Sequence, residues 1–349
     1  MKILIATSAV PFIRGGAEIL ADNLREALAA AGHEAELIAI PFKHYPPDRI
    51  PEHMLACRLL DLTESCGVGI DRVIGLKFPA YLIPHPNKVI WLLHQHRTAY
   101  ELWDHPAAGD LIHCPTGPVV REAIRRADRE LIPEAKIVYT LSHNVSGRLR
   151  RYSGIDSEPL YNPPAFAQLF YNNSAVDYFF FPSRITSVKR QWLVIRALAQ
   201  CRERVQVRFA GQADSPVQQA ECDNAVRELK LSDRVELLGM VSEEQKRDLY
   251  ANCLAVIFPP VDEDYGYVTL EAMLSSKPVI TCADSGGPLE FVVDGQTGLT
   301  ADPTPESLAR AMDALWTDRR GAAAMGEAGR ARYQDLDISW ANVVEKLLC

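Results

Sequence analysis

The stretch DYFFFPSRITSVKRQWLVIRALAQCRERVQVRFAG, residues 177–211, decides the fold. Residues 177–183 form an aromatic run closed by Pro and Ser, which reads as a strand covered on both faces. A helical pattern follows over 188–201, and VQVRFAG at 205–211 is a second apolar strand. The alternation continues downstream with a helix at 215–230, VELLG at 235–239, a helix at 243–252 and LAVIFPP at 254–260, then a helix at 267–275 and PVITC at 278–282. Helical patterns at 304–316 and in the last 20 residues close the chain.

Upstream, residues 3–10 form an apolar run, and a helical pattern from Ala17 to Ala31 ends at Gly32. EAELIAI (34–40), RVIGL (72–76), KVIWLL (88–93) and KIVYTL (136–141) read as further strands, with a helical segment at 118–130 among them. Strands alternating with helices predict α/β architecture with doubly wound parallel sheets. In YNPPAF, Asn162, Pro163 and Pro164 interrupt the pattern, because proline fits neither a helix interior nor a central strand. The sequence therefore predicts two Rossmann-like domains, 1–162 and 163–329, with a C-terminal helix at about 330–349 packing back onto the first. Two such domains face to face would form a cleft, with ligands at the C-terminal ends of the strands.

The chain has 349 residues, 48% of them apolar and 23% charged, enough for two cores of ordinary globular composition. A net charge of -8 argues against coating nucleic acid, which needs a basic face. The 8 cysteines form no C-x-x-C pair, so neither a zinc site nor a disulfide framework is suggested, and reduced thiols in the cytoplasm are expected. Met1-Lys2 leads directly into ILIATSAV, which reads as a first strand rather than a signal peptide. No apolar run reaches the roughly 18 residues needed to cross a bilayer.

The densest motif is FPPVDEDYGYVTLEAMLSSKPVITCADSGGPLEFV, residues 258–292. Glu271, on a helix, offers two carboxylate oxygens to the hydroxyls of a ribose. Glu263 stands in the loop before it, Gly266 allows close backbone approach, and the helix N-terminus favours a diphosphate. Asp262 to Asp264 could instead be read as metal ligands. Arg184 and Lys189 lie between strand and helix, where an arginine fork and a lysine point charge can neutralise a pyrophosphate. Gly286 and Gly287 allow positive backbone angles or a tight turn.

These motifs resemble the retaining GT-B glycosyltransferases of family four, the glycosyl transferases group 1. The pattern departs in one loop: the family usually has glycine before the arginine and after the lysine, where this chain has Ser183 and Arg190. The resemblance implies that Arg184 and Lys189 stabilise the leaving nucleoside diphosphate, that Glu263 serves the donor sugar, and that no metal is required. It assigns His94 to the donor sugar as a fourth catalytic residue. It assigns donor binding to Gly15, Gly16, Gly211, Met240, Val241, Gly266, Glu271, Gly286 and Gly287, and acceptor binding to His96 and Arg97. Gly15 and Gly16 in PFIRGGAE do not form the G-x-G-x-x-G fingerprint of NAD sites.

The expected activity is transfer of a hexose-type sugar, with retention, from a nucleoside-diphosphate donor to a glycan, lipid-linked or small-molecule hydroxyl. No cofactor is expected beyond that co-substrate, and no nucleic-acid partner. Arg121, Arg125 and Arg129 share a helical face, which in the family suits peripheral membrane contact through the N-terminal domain; a solvated charged face is the plainer reading. A sugar-nucleotide epimerase or hydrolase, or a non-catalytic nucleotide-sugar-binding protein, would fit the same scaffold.

Overall fold

A computed structural model describes residues 1–12, 15–106 and 108–349. The chain forms two compact units, one of Met1–Ala165 with Ile338–Cys349, the other of Phe166–Asp337.

The first unit runs β1 (Lys2–Ala9), α1 (Gly16–Ala30), β2 (Glu34–Pro41), α2 (Ile50–Leu59) and a small antiparallel hairpin of β3 (Glu64–Ser65) and β4 (Val68–Gly69). It continues with β5 (Arg72–Gly75), β6 (Lys88–Leu92), α3 (Gly117–Leu131), β7 (Ile137–Thr140), α4 (His143–Ser153) and β8 (Glu158–Pro159). Its sheet has the order β2-β1-β5-β6-β7-β8, parallel throughout. The chain leaves β1 to one side for β2 and returns on the other side for β5, so the strand order reverses between β1 and β5.

The second unit runs β9 (Phe179–Pro182), α5 (Gln191–Leu198), β10 (Val207–Ala210), α6 (Pro216–Glu228), β11 (Val235–Leu237), α7 (Glu243–Asn252) and β12 (Ala255–Ile257). Then come α8 (Tyr267–Leu274), β13 (Val279–Cys282), the single turn α9 (Pro288–Phe291), β14 (Gly298–Ala301), α10 (Pro305–Thr317) and α11 (Arg319–Asp335). The sheet order is β11-β10-β9-β12-β13-β14, again parallel, and it reverses between β9 and β12. Phe179 and Phe181 pack into one core while Phe180, pointing the other way, packs into a second with Tyr250. Both faces of the sheet are therefore covered, as a near-continuous apolar strand requires.

The structure differs from the sequence reading at several points, including the unit boundaries, which fall after Ala165 and Asp337 rather than at 162 and 329. The helix expected from 188 starts at Gln191, because Arg190 adopts a left-handed conformation that a helix cannot contain. The final helical pattern is two helices: Asp337 has φ 47°, and Ser339 restarts the chain by accepting a hydrogen bond from Asn342 N at 3.1 Å. The second of these, α12 (Trp340–Leu348), belongs to the first unit. There Trp340 meets Trp91 edge to face at 6.3 Å and Arg72 donates to the Leu347 carbonyl at 2.6 Å. Helix α4 was not anticipated. It is capped by Ser142, which accepts from Val145 N at 3.0 Å, and it ends at left-handed Gly154. Among the described residues no helix is long and apolar enough to cross a membrane.

The first core also encloses a polar cluster. Asp128 on α3 is fully buried and accepts from Tyr81 Oη at 2.8 Å, Tyr100 Oη at 2.7 Å and Gln95 Nε2 at 2.8 Å. Burial pushes its carboxyl up to about 6, against the hydrogen bonds from Tyr100, Gln95 and Tyr81 that favour the ionised form. A native pKa above that of the unfolded chain means that the native state holds the proton more tightly, so this group's contribution falls as pH rises through the interval between the two values. The unfolding free energy of the wild type relative to Asp128→Asn, followed by urea denaturation, is expected to drop by about 3 kcal/mol between roughly pH 4 and pH 6. A difference independent of pH would remove the buried-proton account.

Candidate functional site

Neighbouring loops diverge where strand order reverses, which opens a crevice at the C-terminal ends of the strands. In the second unit the loops at that point follow β9 and β12, and they carry Arg184, Lys189, Glu263 and Gly266. Lys189 Nζ pairs with Glu263 Oε2 and lies 5.1 Å over the Phe258 ring. Both side chains are about one-fifth exposed, at 18% and 20%. Arg184 pairs instead with Asp214 at 2.8 Å, and this pair is open to solvent, with Arg184 65% exposed.

The loop after β13 joins the same edge. Val261 N donates to Val188 O at 2.7 Å, Asp262 N to Asp284 O at 2.9 Å, Glu263 N to Ser285 O at 2.8 Å, and Gly287 N to Glu263 O at 2.8 Å. Loops 183–190, 261–266 and 283–288 are thus laced together through main-chain groups. The glycines make that approach possible. A Cβ on Gly287 would fall 2.6 Å from Tyr265 O, and one on Gly266, whose φ is +92°, would fall 2.9 Å from Pro288 Cγ. Gly286 takes φ +70°. Among the described residues, Asp262, Glu263 and Asp264 do not form part of any metal-holding group of three or more side chains.

Glu271 lies in the second turn of α8, behind the Gly266 cap, and is 7% exposed. Each of its oxygens already has a donor, Tyr250 Oη at 2.6 Å on one and Lys246 Nζ at 3.1 Å on the other. Burial works against the charge of Lys246, but the carboxylates of Glu271 and Glu243 outweigh it and raise its pKa. Tyr250 is driven well above its usual value by burial and by Glu271. The sequence reading passed over both residues, although their i, i+4 spacing on α7 places them on one face. It also passed over Asp284, which receives a bidentate pair from Arg190.

Gly211 ends β10 at φ +144°, where a Cβ would lie 2.2 Å from Ser183 O, and its N–H donates to Gly239 O at 2.8 Å. This brings the segment with Met240 and Val241 beside the β9 loop; Met240 is exposed and Val241 partly buried against the core.

Gly15, Gly16, His94, His96 and Arg97 belong to the first unit. Gly15 caps α1, its N–H donating to Glu18 Oε2 at 2.9 Å, and Gly16 is the first helical residue; Ile13 and Arg14 of the same stretch lie outside the described residues. His94 follows β6, with Nδ1 2.6 Å from Gln95 O. The His96 ring packs against Phe78 and Phe42 at 5.2 and 6.1 Å, and burial lowers its pKa to about 4, so it is neutral at neutral pH. Arg97 is held by Glu101 at 2.6 Å, and Arg148 shares the same carboxylate oxygen. On α3, Arg121 lies 4.2 Å over Trp103 and Arg125 lies 5.9 Å over Tyr100, while Arg129 pairs with Glu122 at 2.8 Å. These three therefore do not form a row of uncommitted charges.

Two doubly wound parallel-sheet units define the GT-B class. Sucrose-phosphate synthase from Thermosynechococcus elongatus has a similar fold, with a TM-score of 0.81 at 19% identity over 99% of this chain and 97% of that one. HepE from Anabaena, in complex with UDP and glucose, matches with a TM-score of 0.71 at 17% identity over 100% and 98% of the two chains. Residues 171–332, nearly all of the second unit, match the model of the glycosyl transferases group 1, so this part of the chain is similar to that family. The alpha-1,3/1,6-mannosyltransferase ALG2 of Dictyostelium discoideum is 37% identical over 132 residues, 36% of this chain and 31% of that protein. The similarity thus spans less than half the length of the curated relatives that it matches.

The Glu271 cluster gives a direct test of how its carboxylate is held. Tyr250→Phe removes one donor from a buried charge and is expected to lower the unfolding free energy by about 1–3 kcal/mol in urea denaturation. A loss below about 0.5 kcal/mol would show that the hydroxyl does not support Glu271.

Proposed function

We propose that this chain is a retaining glycosyltransferase that moves a hexose-type sugar from a nucleoside-diphosphate donor to a hydroxyl of a glycan, lipid-linked or small-molecule acceptor, without a metal ion. The observation that carries the reading is the Lys189–Glu263 pair at the point of strand reversal, within loops closed by glycines. The family match over residues 171–332 supports it, as do a curated relative that is a mannosyltransferase and a structural neighbour in complex with UDP and glucose.

In this reading Lys189 exchanges Glu263 for the donor diphosphate, and Arg184 leaves Asp214 to join it. Exposed ion pairs such as Arg184–Asp214 contribute only about 0–1 kcal/mol, so the exchange costs little. Charge then grows on the leaving phosphate as the sugar ring gains positive character, and the two cations stabilise it. Glu263, released from Lys189, turns to the donor sugar. A carboxylate offers about four lone-pair directions, so Glu271 keeps acceptor capacity for the ribose hydroxyls beside Tyr250 and Lys246. Gly211, Met240 and Val241 border the base, the amides at Gly266 and Gly286 face the phosphate and sugar, and Gly287, whose N–H is held by the Glu263 carbonyl, lets its loop come close to them.

The first unit takes the acceptor. His94 reaches the donor sugar, Gly15 and Gly16 approach the phosphates at the start of α1, and His96 and Arg97 meet the acceptor. Neutral His96 acts there as a hydrogen-bonding group rather than as a cation. The place of work is the cytoplasm, with peripheral membrane contact when the acceptor is lipid-linked, and no cofactor is needed beyond the nucleotide sugar.

A thermal-shift screen with UDP, GDP and ADP sugars is expected to stabilise the protein with one base, because a ligand bound to the native state alone raises its stability. With that donor, Arg184→Ala is expected to lower kcat by roughly a hundredfold or more while leaving the melting temperature within a few degrees of wild type. Unchanged turnover in Arg184→Ala would defeat the role given to this cation.

A further inference from the structure

Arg190 stands between Lys189 and the first residue of α5, with its backbone at φ 61° and ψ 40°. A left-handed conformation is strained for a bulky residue and costs glycine almost nothing. Residues keep such a conformation when the surrounding structure over-determines it. The side chain supplies that surrounding structure. Arg190 is 9% exposed, and its guanidinium grips Asp284 with both nitrogens, Nη1 to Oδ1 at 2.9 Å and Nη2 to Oδ2. Asp284 is in turn tied by its main-chain oxygen to Asp262 N at 2.9 Å.

Two side-chain bridges therefore leave the same loop from adjacent residues. Lys189 reaches Glu263 in the loop after β12, and Arg190 reaches Asp284 in the loop after β13. They differ in kind: a lysine is a point charge that can change partners, whereas a planar fork matched to a carboxylate fixes direction as well as distance. If Lys189 leaves Glu263 for a diphosphate, the bridge that need not break is Arg190–Asp284.

We propose that Arg190 and Asp284 are a positioning pair, a standing clamp that keeps Lys189, Glu263 and the Gly286–Gly287 loop in register while Lys189 changes partners. Neither residue touches the reacting atoms. The proposal rests on the reading of Lys189 as the diphosphate-binding lysine.

The test uses the full chain with Arg190→Gly, which suits the left-handed backbone and deletes the clamp, with Asp284→Asn, and with the double variant. Two quantities are read: steady-state kinetics with the donor identified by thermal shift, and amide hydrogen exchange at Asp262, Glu263 and Gly287. Both single variants are expected to fold, to lose kcat about ten- to a hundredfold with donor KM changed less than about threefold, and to exchange these amides at least about tenfold faster. The double variant is expected to lose no more than the worse single variant, as for partners in one interaction. Arg190→Lys, which keeps a charge but not the fork, is expected to recover part of the loss. Wild-type kcat together with wild-type amide protection in either single variant overturns the clamp, and so do losses that multiply in the double variant. If the wild type transfers sugar from no donor, the enzymatic reading fails. Hydrogen exchange then decides the clamp by itself: lost protection supports it as a loop-holding device, and unchanged protection overturns it.

Discussion

Burial of both faces of a parallel sheet is the constraint from which the rest of the second unit follows. Phe179, Phe180 and Phe181 are each 0% exposed, and a charge placed among them would meet only apolar neighbours. Transfer of an unpaired charge into such surroundings costs far more than a fold of marginal stability can absorb. Charged groups therefore gather at the strand ends or, like Arg208 with Glu236, pair on the partly exposed flank of the sheet at 2.8 Å. Where the order of strands reverses, two of those ends carry the loops in which Arg184, Lys189 and Glu263 are found. The first unit follows the same logic: Ile90, Trp91 and Leu92 are wholly buried, and His94, His96 and Arg97 come just past the strand.

The loops gain order from main-chain contact more than from side chains. Glu263 exchanges backbone hydrogen bonds with Ser285 and Gly287, so the loops after β12 and β13 behave as a short additional pairing beyond the sheet. That pairing explains why glycine occupies 266 and 287, where a methyl group would strike Pro288 or Tyr265. A glycine-rich turn can thus serve a ligand and the packing of its own loops together.

How much of this could be read from the sequence depended on whether the signal was local. Ten of the twelve sheet strands among the described residues were legible because continuous apolar runs leave few alternatives, while β8 and β14, which are short and carry no such run, were not read; α7 was read over 243–252, where Ser242 and Gln245 cap it reciprocally. Helix α4 escaped because HNVSGRLRRYS buries little beyond Val145 and Leu149, so its hydrophobic period is thin. Two arginines have partners far away in sequence. Arg148 meets Glu101 across 47 positions, and Arg190 meets Asp284 across 94, separations at which sequence pattern carries no pairing information. Lys246 and Tyr250 were nearer to hand, since their spacing puts both toward one side of α7. What the sequence lacked was any sign that this side meets Glu271. The candidate residues were thus legible by type and position, whereas the partners that set their charge and direction required the fold.

One feature of the chain path bears on how the protein comes into being. Helix α12 lies beyond the whole of the second unit in sequence, yet Trp340 packs on Trp91, and Arg72, only 7% exposed, bonds to the Leu347 carbonyl. A ribosome delivers these residues after every strand of both sheets has been made. The second unit is a continuous segment and can complete its core as it emerges, whereas the first must wait with the α12 surface uncovered. Of the two units, the one that comes earlier in sequence is finished after the other.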